Sequence, residues 1–186
     1  FGRFNPPTVG HEKLITATET AAKSAGGDYF VYPSHTQDIK KNPLTQAQKI
    51  KYMKLMFTRH KSNIIKTKGK DPFKIASEIY KKKYSNLIMV VGSDRVKEFK
   101  ALLLKYNGKD GKHGFYDFKN IKVISAGERD PDAEGAEGMS ASKMRKAAVG
   151  GDFQSFRVGT PSTLDDDNTK KMFNDLRKGM KLDVIK

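Results

Sequence analysis

The chain has 186 residues, of which 37% are hydrophobic and 31% charged, and its 36 Lys and Arg against 21 Asp and Glu give a formal net charge of +15. A chain of this length holds one domain, or one domain with an appendage, around a sizeable core. It contains no cysteine, which excludes disulfide scaffolds, cysteine metal sites and thiolate catalysis, and no apolar run approaches the roughly 18 residues that a membrane span needs. With no signal peptide visible, the expectation is a soluble, cytoplasmic protein with no membrane partner. The excess of positive charge points to a phosphate-bearing partner, nucleotide or nucleic acid, or to a lysine-rich surface that only keeps the protein in solution.

In chain order, Gly2 to Thr8 reads as a loop from its Gly, Asn and Pro6-Pro7 pair. A helix begins near Val9 or Gly10 and runs to Ser24, with Leu14, Ile15, Ala17, Ala21 and Ala22 as its apolar face and Gly26-Gly27 as its stop. A glycine-bearing loop that enters a helix in this way normally follows a buried strand, so a first, central strand is expected to precede Phe1. Tyr29 to Tyr32 is a short strand ended by Pro33. Lys40 to Pro43 is loop, and Thr45 caps a helix to about Phe57. Asn63 to Lys66 is a weak strand, and Pro72 starts a helix through Ile75, Ala76, Ile79 and Tyr80. Asn86 to Val91 is almost continuously apolar, as a parallel strand covered on both faces should be. Gly92-Ser93-Asp94 ends it, and a helix follows through Val96, Phe99 and Leu103.

Gly108 to Gly114 is polar, glycine-rich and expected to be mobile. Another strand lies around Ile121 and Val123. Gly127 to Gly138 is an acidic loop carrying Glu128, Asp130, Asp132, Glu134 and Glu137, whose spacing does not fit an EF-hand. It leads into Ser140, so it reads as a charged lid beside the helix that runs from Ser140 to about Val149. A last amphipathic helix spans Asp165 to Lys178, with Met172, Phe173 and Leu176 as its packing face. The alternation of strands and helices predicts an α/β fold, a Rossmann-like doubly wound parallel sheet. Residues 1–150 form the main domain and 151–186 a helical extension packed on it.

The stretch from Gly2 to His11 is the strongest chemical signal. Prolines stiffen a loop that runs into a helix N-terminus, Gly10 permits close approach to the backbone, and the N–H groups there favour an anion. Thr8 and His11 are three apart, so a helical start puts them on one side, where a hydroxyl and an imidazole can hold nucleotide phosphates. His11 alone also reads as an ordinary locally bonded histidine.

Thr8-Val9-Gly10-His11 resembles the Thr-x-Gly-His form of the signature of the adenylyl- and cytidylyltransferase superfamily, whose other form is His-x-Gly-His. The wider Gly2 to His11 stretch is most similar to nicotinamide-mononucleotide and phosphopantetheine adenylyltransferases. Met139-Ser140-Ala141-Ser142-Lys143-Met144-Arg145 resembles the superfamily's Ile-Ser-Ser-Thr-x-x-Arg signature, with Ala141 departing from the second serine. The resemblance runs from Gly2 to roughly Ala147, and it makes 1–150 a nucleotidyltransferase domain. It implies that His11 stabilises the α-phosphate in the transition state, that Thr8, Phe4 and Gly10 belong to the nucleotide site, and that Ser140, Ser142 and Arg145 grip the β- and γ-phosphates. Gly92 and Asp94 match a Gly-x-Asp that contacts the nucleotide ribose, although Asp94 also reads as a cap of the next helix and Ser140 as a cap of its own. In the loop from Pro33 to Leu44, Lys41, narrowly ahead of Lys40, is the basic residue near the triphosphate or acceptor. Arg3 reaches the acceptor's phosphate or serves the surface.

The implied reaction is attack by a phosphorylated acceptor on the α-phosphorus of ATP or CTP, with loss of pyrophosphate. A phosphate nucleophile is already anionic, so positioning and charge neutralisation by His11, Lys41 and Arg145 suffice without paired carboxylates. Mg²⁺ arrives with the triphosphate, and no dedicated protein metal site is expected. The favoured transfer is AMP to nicotinamide mononucleotide, against which the chain has no tryptophan to stack on the nicotinamide. Phosphopantetheine, a pyridoxal-like or sugar phosphate, and a cytidylyl reaction stay open, as does a homo-oligomer. The competing class is a nucleotide- or nucleic-acid-binding protein without turnover. Residues 38–100 hold 17 Lys and Arg against five Asp and Glu, enough to follow a phosphate backbone, but no nucleic-acid-binding module is recognisable and the aromatics do not interleave with the basic residues.

Overall fold

A computed structural model describes residues 1–127 and 138–186; the acidic stretch from Glu128 to Glu137, expected as a lid, lies outside the described residues. Seven helices are present among them: α1 (His11–Ser24), α2 (Gln46–Met56), α3 (Pro72–Lys81), α4 (Val96–Tyr106), α5 (Ala141–Val149), α6 (Phe153–Val158) and α7 (Asp166–Gly179). Two strands, β1 (Asn86–Val91) and β2 (Asn120–Ser125), are joined by parallel pairing. None of these helices is long and apolar enough to cross a membrane. The chain divides into two compact units, each taken by itself below.

The first unit holds Thr16–Tyr29 and residues 67–127. Its β1 and β2 run in parallel register from Asn86 opposite Asn120 to Val91 opposite Ser125. Leu87, Met89 and Val91 of β1 and Ile121 and Val123 of β2 alternate along their strands, which puts them on one face. That face joins Ala76 and Ile79 of α3 and Val96, Phe99 and Leu103 of α4 in one core with Tyr116 and Phe118. The buried Tyr116 hydroxyl donates to the Leu103 carbonyl at 2.7 Å, which removes the cost of enclosing a polar tip. Pro72 opens α3 as expected, and Asp71 caps it by accepting from the N–H groups of Phe73 and Lys74. The loop from Gly108 to Gly114, expected to be loose, carries anchors. Its His113 ring packs on Phe73 and Tyr106, and Nδ1 lies 3.4 Å from Asp71.

The second unit holds Gly2–Ile15, Phe30–Lys66 and, of the later chain, residues 138–186. The strands expected at Tyr29 to Tyr32 and Asn63 to Lys66 reduce to isolated parallel bridges, Gly2 with Pro33 and Val31 with Ile64. Four backbone bonds make them: Gly2 N–H to Tyr32 O, Ser34 N–H to Gly2 O, Val31 N–H to Asn63 O and Ile65 N–H to Val31 O. Regular pairing stops there because Pro33 has no N–H to donate and a 3-10 turn (Thr58–Asn63) occupies the chain up to Ile64. The architecture is thus α/β with parallel pairing, and its regular sheet among the described residues has two strands rather than a full doubly wound set.

Helix α2 starts where its sequence says it should. Thr45 Oγ1 accepts from Gln48 N–H while Gln48 Oε1 accepts from Thr45 N–H, a reciprocal capping box. Helices α5, α6 and α7 pack on one another around Met144, Phe156, Met172, Phe173 and Leu176, all fully buried. Phe173 meets Phe153 and Phe156 edge-on, with centroids 5.6 and 5.3 Å apart. The C-terminal residues also make polar ties to the earlier chain: Thr163 Oγ1 donates to Met56 O, and Tyr52 donates its hydroxyl to Asp175. If residues 151–186 are an integral part of this unit, Phe173→Ala lowers unfolding free energy by about 3–5 kcal/mol in urea denaturation followed by circular dichroism. A loss below about 1 kcal/mol, as for a surface change, contradicts that packing.

Candidate active site

The opening loop is held from within. Phe4 adopts a left-handed backbone with φ of 47°, uncommon for a residue with a side chain, and is 3% exposed. Its ring folds back over Gly2, where an added Cβ would lie 3.0 Å from Phe4 Cε2, and it meets the His11 ring edge-on at 4.9 Å between centroids. Glycine at position 2 therefore gives the aromatic room to brace the imidazole. The bond between Asn5 and Pro6 is cis.

Thr8 is buried, and its backbone N–H and its hydroxyl both face the His11 ring. Its backbone N–H donates to His11 Nδ1 at 2.9 Å, and its hydroxyl lies 3.3 Å from the same nitrogen. A backbone N–H can only donate, so Nδ1 must keep a lone pair, and the neutral imidazole carries its proton on Nε2. The ring is set as a donor at Nε2. In this geometry Thr8 orients the imidazole. At Gly10 an added Cβ would meet only Thr8 Oγ1, at 3.6 Å, an ordinary contact, so local packing does not demand glycine there.

Asn5, read from the sequence as part of the opening loop and of its resemblance to adenylyltransferases but given no role of its own, joins three pieces. It is 2% exposed. Its Nδ2 donates to Leu44 O at 3.0 Å and its Oδ1 accepts from Leu44 N–H at 2.8 Å, so one side chain satisfies both backbone groups of a fully buried residue. Its own carbonyl accepts from Arg145 Nη1 at 2.8 Å. The opening loop, the segment carrying Lys41 and helix α5 are thereby tied together.

Arg145 is half-buried. Burial pulls its guanidinium below its ordinary range, Asp38 pushes it back up, and Arg3 adds to the lowering. Arg3 and Asp38 thus act on the Arg145 charge from the same neighbourhood. At the start of α5, Ser140 Oγ accepts from Lys143 N–H at 3.1 Å, so Ser140 is the helix cap. Ala141 and Ser142 supply the first N–H groups of a helix, which have no intrahelical acceptor and attract anions. Ser142 is exposed.

Lys40 and Lys41 are exposed at the turn of a small loop organised by Asp38. Asp38 Oδ1 accepts from the N–H groups of Lys40 at 2.9 Å and Lys41 at 2.7 Å, Oδ2 accepts from Asn42 Nδ2 at 2.6 Å, and Asp38 N–H closes the loop on Asn42 O. These bonds, that of Asn42 foremost, hold the Asp38 carboxyl down at about 2, so it stays ionised throughout the neutral range. Asp38 has a recognisable local signal, an acid whose side chain can bond N–H groups two and three residues on, which the sequence reading passed over. Lys49 has none. It is fully buried in α2, donating to Ser34 O at 2.6 Å and Ser34 Oγ at 3.2 Å, and enclosure brings its ammonium down to about 8.

The second unit therefore contains Phe4, Thr8, Gly10, His11, Lys41, Ser140, Ser142 and Arg145. Gly92 and Asp94 belong to the first unit. There they sit at a 3-10 turn, Ser93–Arg95, at the end of β1, and an added Cβ at Gly92 would lie 2.9 Å from Asp94 Oδ1. Asp94 does not cap α4, because Arg95 holds the cap position without a side-chain bond. Among the described residues no group of three or more His, Asp or Glu side chains is arranged to hold a metal ion.

A family profile described as cytidylyltransferase-like matches residues 1–147, from the opening loop through Arg145 to Ala147. No curated protein and no solved structure matches the chain.

Asn5→Ala should cost roughly 2–4 kcal/mol in urea denaturation, because it strands Leu44 N–H and C=O in a buried setting. Asn5→Asp should cost more than Asn5→Ala, since its second oxygen would face the Leu44 carbonyl and carry charge. Equal stability of Asn5→Ala and wild type would overturn the assignment of Asn5 as the tie.

Proposed function

The chain belongs to the cytidylyltransferase-like family, and on that premise we propose that it transfers a nucleotidyl group from a nucleoside triphosphate to a small phosphorylated acceptor, with release of pyrophosphate. The observation that carries this reading is the tie between the two phosphate-binding motifs, Arg145 Nη1 on the Asn5 carbonyl, together with the His11 ring set as an Nε2 donor. An oxygen of the acceptor's phosphate forms a bond to the α-phosphorus. The bond from that phosphorus to the bridging oxygen breaks, and pyrophosphate leaves with the electron pair. The nucleophile is already an anion, so no side chain need remove a proton. The work of the site is to hold the reactants in line and to meet charge as it develops.

In this reading His11 donates from Nε2 to a non-bridging α-phosphate oxygen. Phe4 and Thr8 act through the ring, one by packing and the other by fixing its tautomer. Arg145, Lys41 and the N–H groups at the start of α5, with Ser142, receive the β- and γ-phosphates, and Arg3 lies on the acceptor side. The triphosphate is taken up as its Mg²⁺ complex.

The family's description favours transfer of CMP from CTP. Transfer of AMP to nicotinamide mononucleotide is the second reading, and it rests on the likeness of Phe4-Asn5-Pro6 and Gly92-Ser93-Asp94 to that group of adenylyltransferases. The burial of Phe4 and Asn5 weakens it, because both side chains are engaged in bracing His11 and Leu44 and neither is offered to an acceptor's base.

The test is pyrophosphate release by the protein with Mg²⁺, CTP or ATP, and a panel of phosphorylated acceptors that includes nicotinamide mononucleotide. Release should require one acceptor and proceed faster with CTP. His11→Ala should lower kcat by about 10²–10³-fold with an unchanged circular dichroism spectrum. Failure of the protein to bind either triphosphate, or normal turnover by His11→Ala, would overturn the reading.

A further inference from the structure

Gly159 lies beyond residue 147, where the family match ends, yet it touches both motifs. It follows α6 with φ of −81° and ψ of 0°, a backbone that any residue adopts, so conformational freedom does not explain a glycine here. Space does. An added Cβ would lie 2.5 Å from Met144 Sδ, 2.9 Å from Met144 Cγ and 3.2 Å from Met139 Cβ. Met139 precedes the cap residue Ser140, and Met144 precedes Arg145. The main chain at Gly159 is therefore pressed directly against the start of α5. From that position its carbonyl accepts the backbone N–H of Val9 at 2.8 Å, two residues before His11.

We propose that Gly159 is a positioning residue of the active site, whose missing side chain sets the spacing between helix α5 and the loop that carries His11. This rests on the transfer reading above, because it gives that spacing its purpose: Arg145 and His11 act on one triphosphate. Two struts then join the motifs. One is Arg145 on the Asn5 carbonyl, within the matched region. The other is Gly159 on the Val9 N–H, supplied by the C-terminal residues. A methyl group at this position forces either Met144 to move or the carbonyl to withdraw from Val9. Met144 is itself fully buried, so in a close-packed interior the displacement is shared with the loop.

The test compares wild type, Gly159→Ala, Met144→Ala and the double variant. Removing the Met144 thioether opens the space that the methyl group introduced by Gly159→Ala needs. Gly159→Ala should retain the wild-type circular dichroism spectrum and lose about 10–100-fold in kcat/KM. The double variant should recover to within about threefold of Met144→Ala, the non-additivity expected of two groups in contact. Hydrogen exchange of the Val9 amide gives a second readout that needs no substrate: protected in wild type and the double variant, fast in Gly159→Ala. Unchanged activity and unchanged Val9 exchange in Gly159→Ala, or a double variant no better than Gly159→Ala, would overturn the inference. If wild type shows no transfer at all, the functional reading fails, while the Val9 exchange still decides whether Gly159 holds the loop.

Discussion

The site depends on one buried amide. Asn5 presents a donor and an acceptor on the two ends of one side chain, and Leu44 offers the complementary pair on its backbone. No charged side chain can make that exchange, because it requires both functions within one planar group. Once Asn5 is fixed, its carbonyl has a defined direction, and Arg145 reaches it across 140 positions of sequence. The neighbouring Phe4 is fixed with it, and through Phe4 the imidazole of His11. The loop is thus rigid for reasons of hydrogen bonding and packing, and it would hold a phosphate against thermal motion at little further entropic cost.

The electrostatics follow from the same arrangement. Arg3, Lys40, Lys41 and Arg145 are cations, and Asp38 is the acid set among them. Its carboxylate is already occupied by the N–H groups of its own loop and by Asn42, so its charge shapes the loop that presents the lysines. Lys49 is buried against Ser34, and Ser34 bonds Gly2. A cation enclosed in this way contributes to the local potential with weaker screening than a surface lysine. On the proposed transfer reading, cations on ordered supports suit a polyphosphate substrate, and paired carboxylates are not needed for a nucleophile that arrives ionised.

Elements whose determinants are local were legible in the sequence. The apolar run from Asn86 to Val91 is β1 to the residue, Thr45 and Ser140 cap the helices they precede, and Pro72 opens α3. The segments at Tyr29 to Tyr32 and Asn63 to Lys66 have strand composition, but a strand is defined by its neighbours, and here they are paired only at isolated bridges. Helix α6 and the turn at Thr58–Asn63 are too short to produce a periodic signal. In the candidate site, Thr8, His11, Ser140, Ser142 and Arg145 could be nominated from the sequence because motif spacing is itself a local property. Asn5, Lys49 and Gly159 were not, since each acts on a partner distant in sequence or through a volume that only the folded chain defines. Nor did the residues reveal that Thr8 serves the imidazole, a matter of which way one buried hydroxyl points.

On the proposed reading, the Thr8 to His11 loop and the start of α5 form a single phosphate site. Amide chemical shifts of the protein titrated with the Mg²⁺ complex of CTP test it most directly. The amides of Val9, Gly10 and His11 and those of Ala141, Ser142 and Lys143 should shift together along one binding curve with one Kd. Movement of one group alone, or two curves with distinct Kd values, would contradict it.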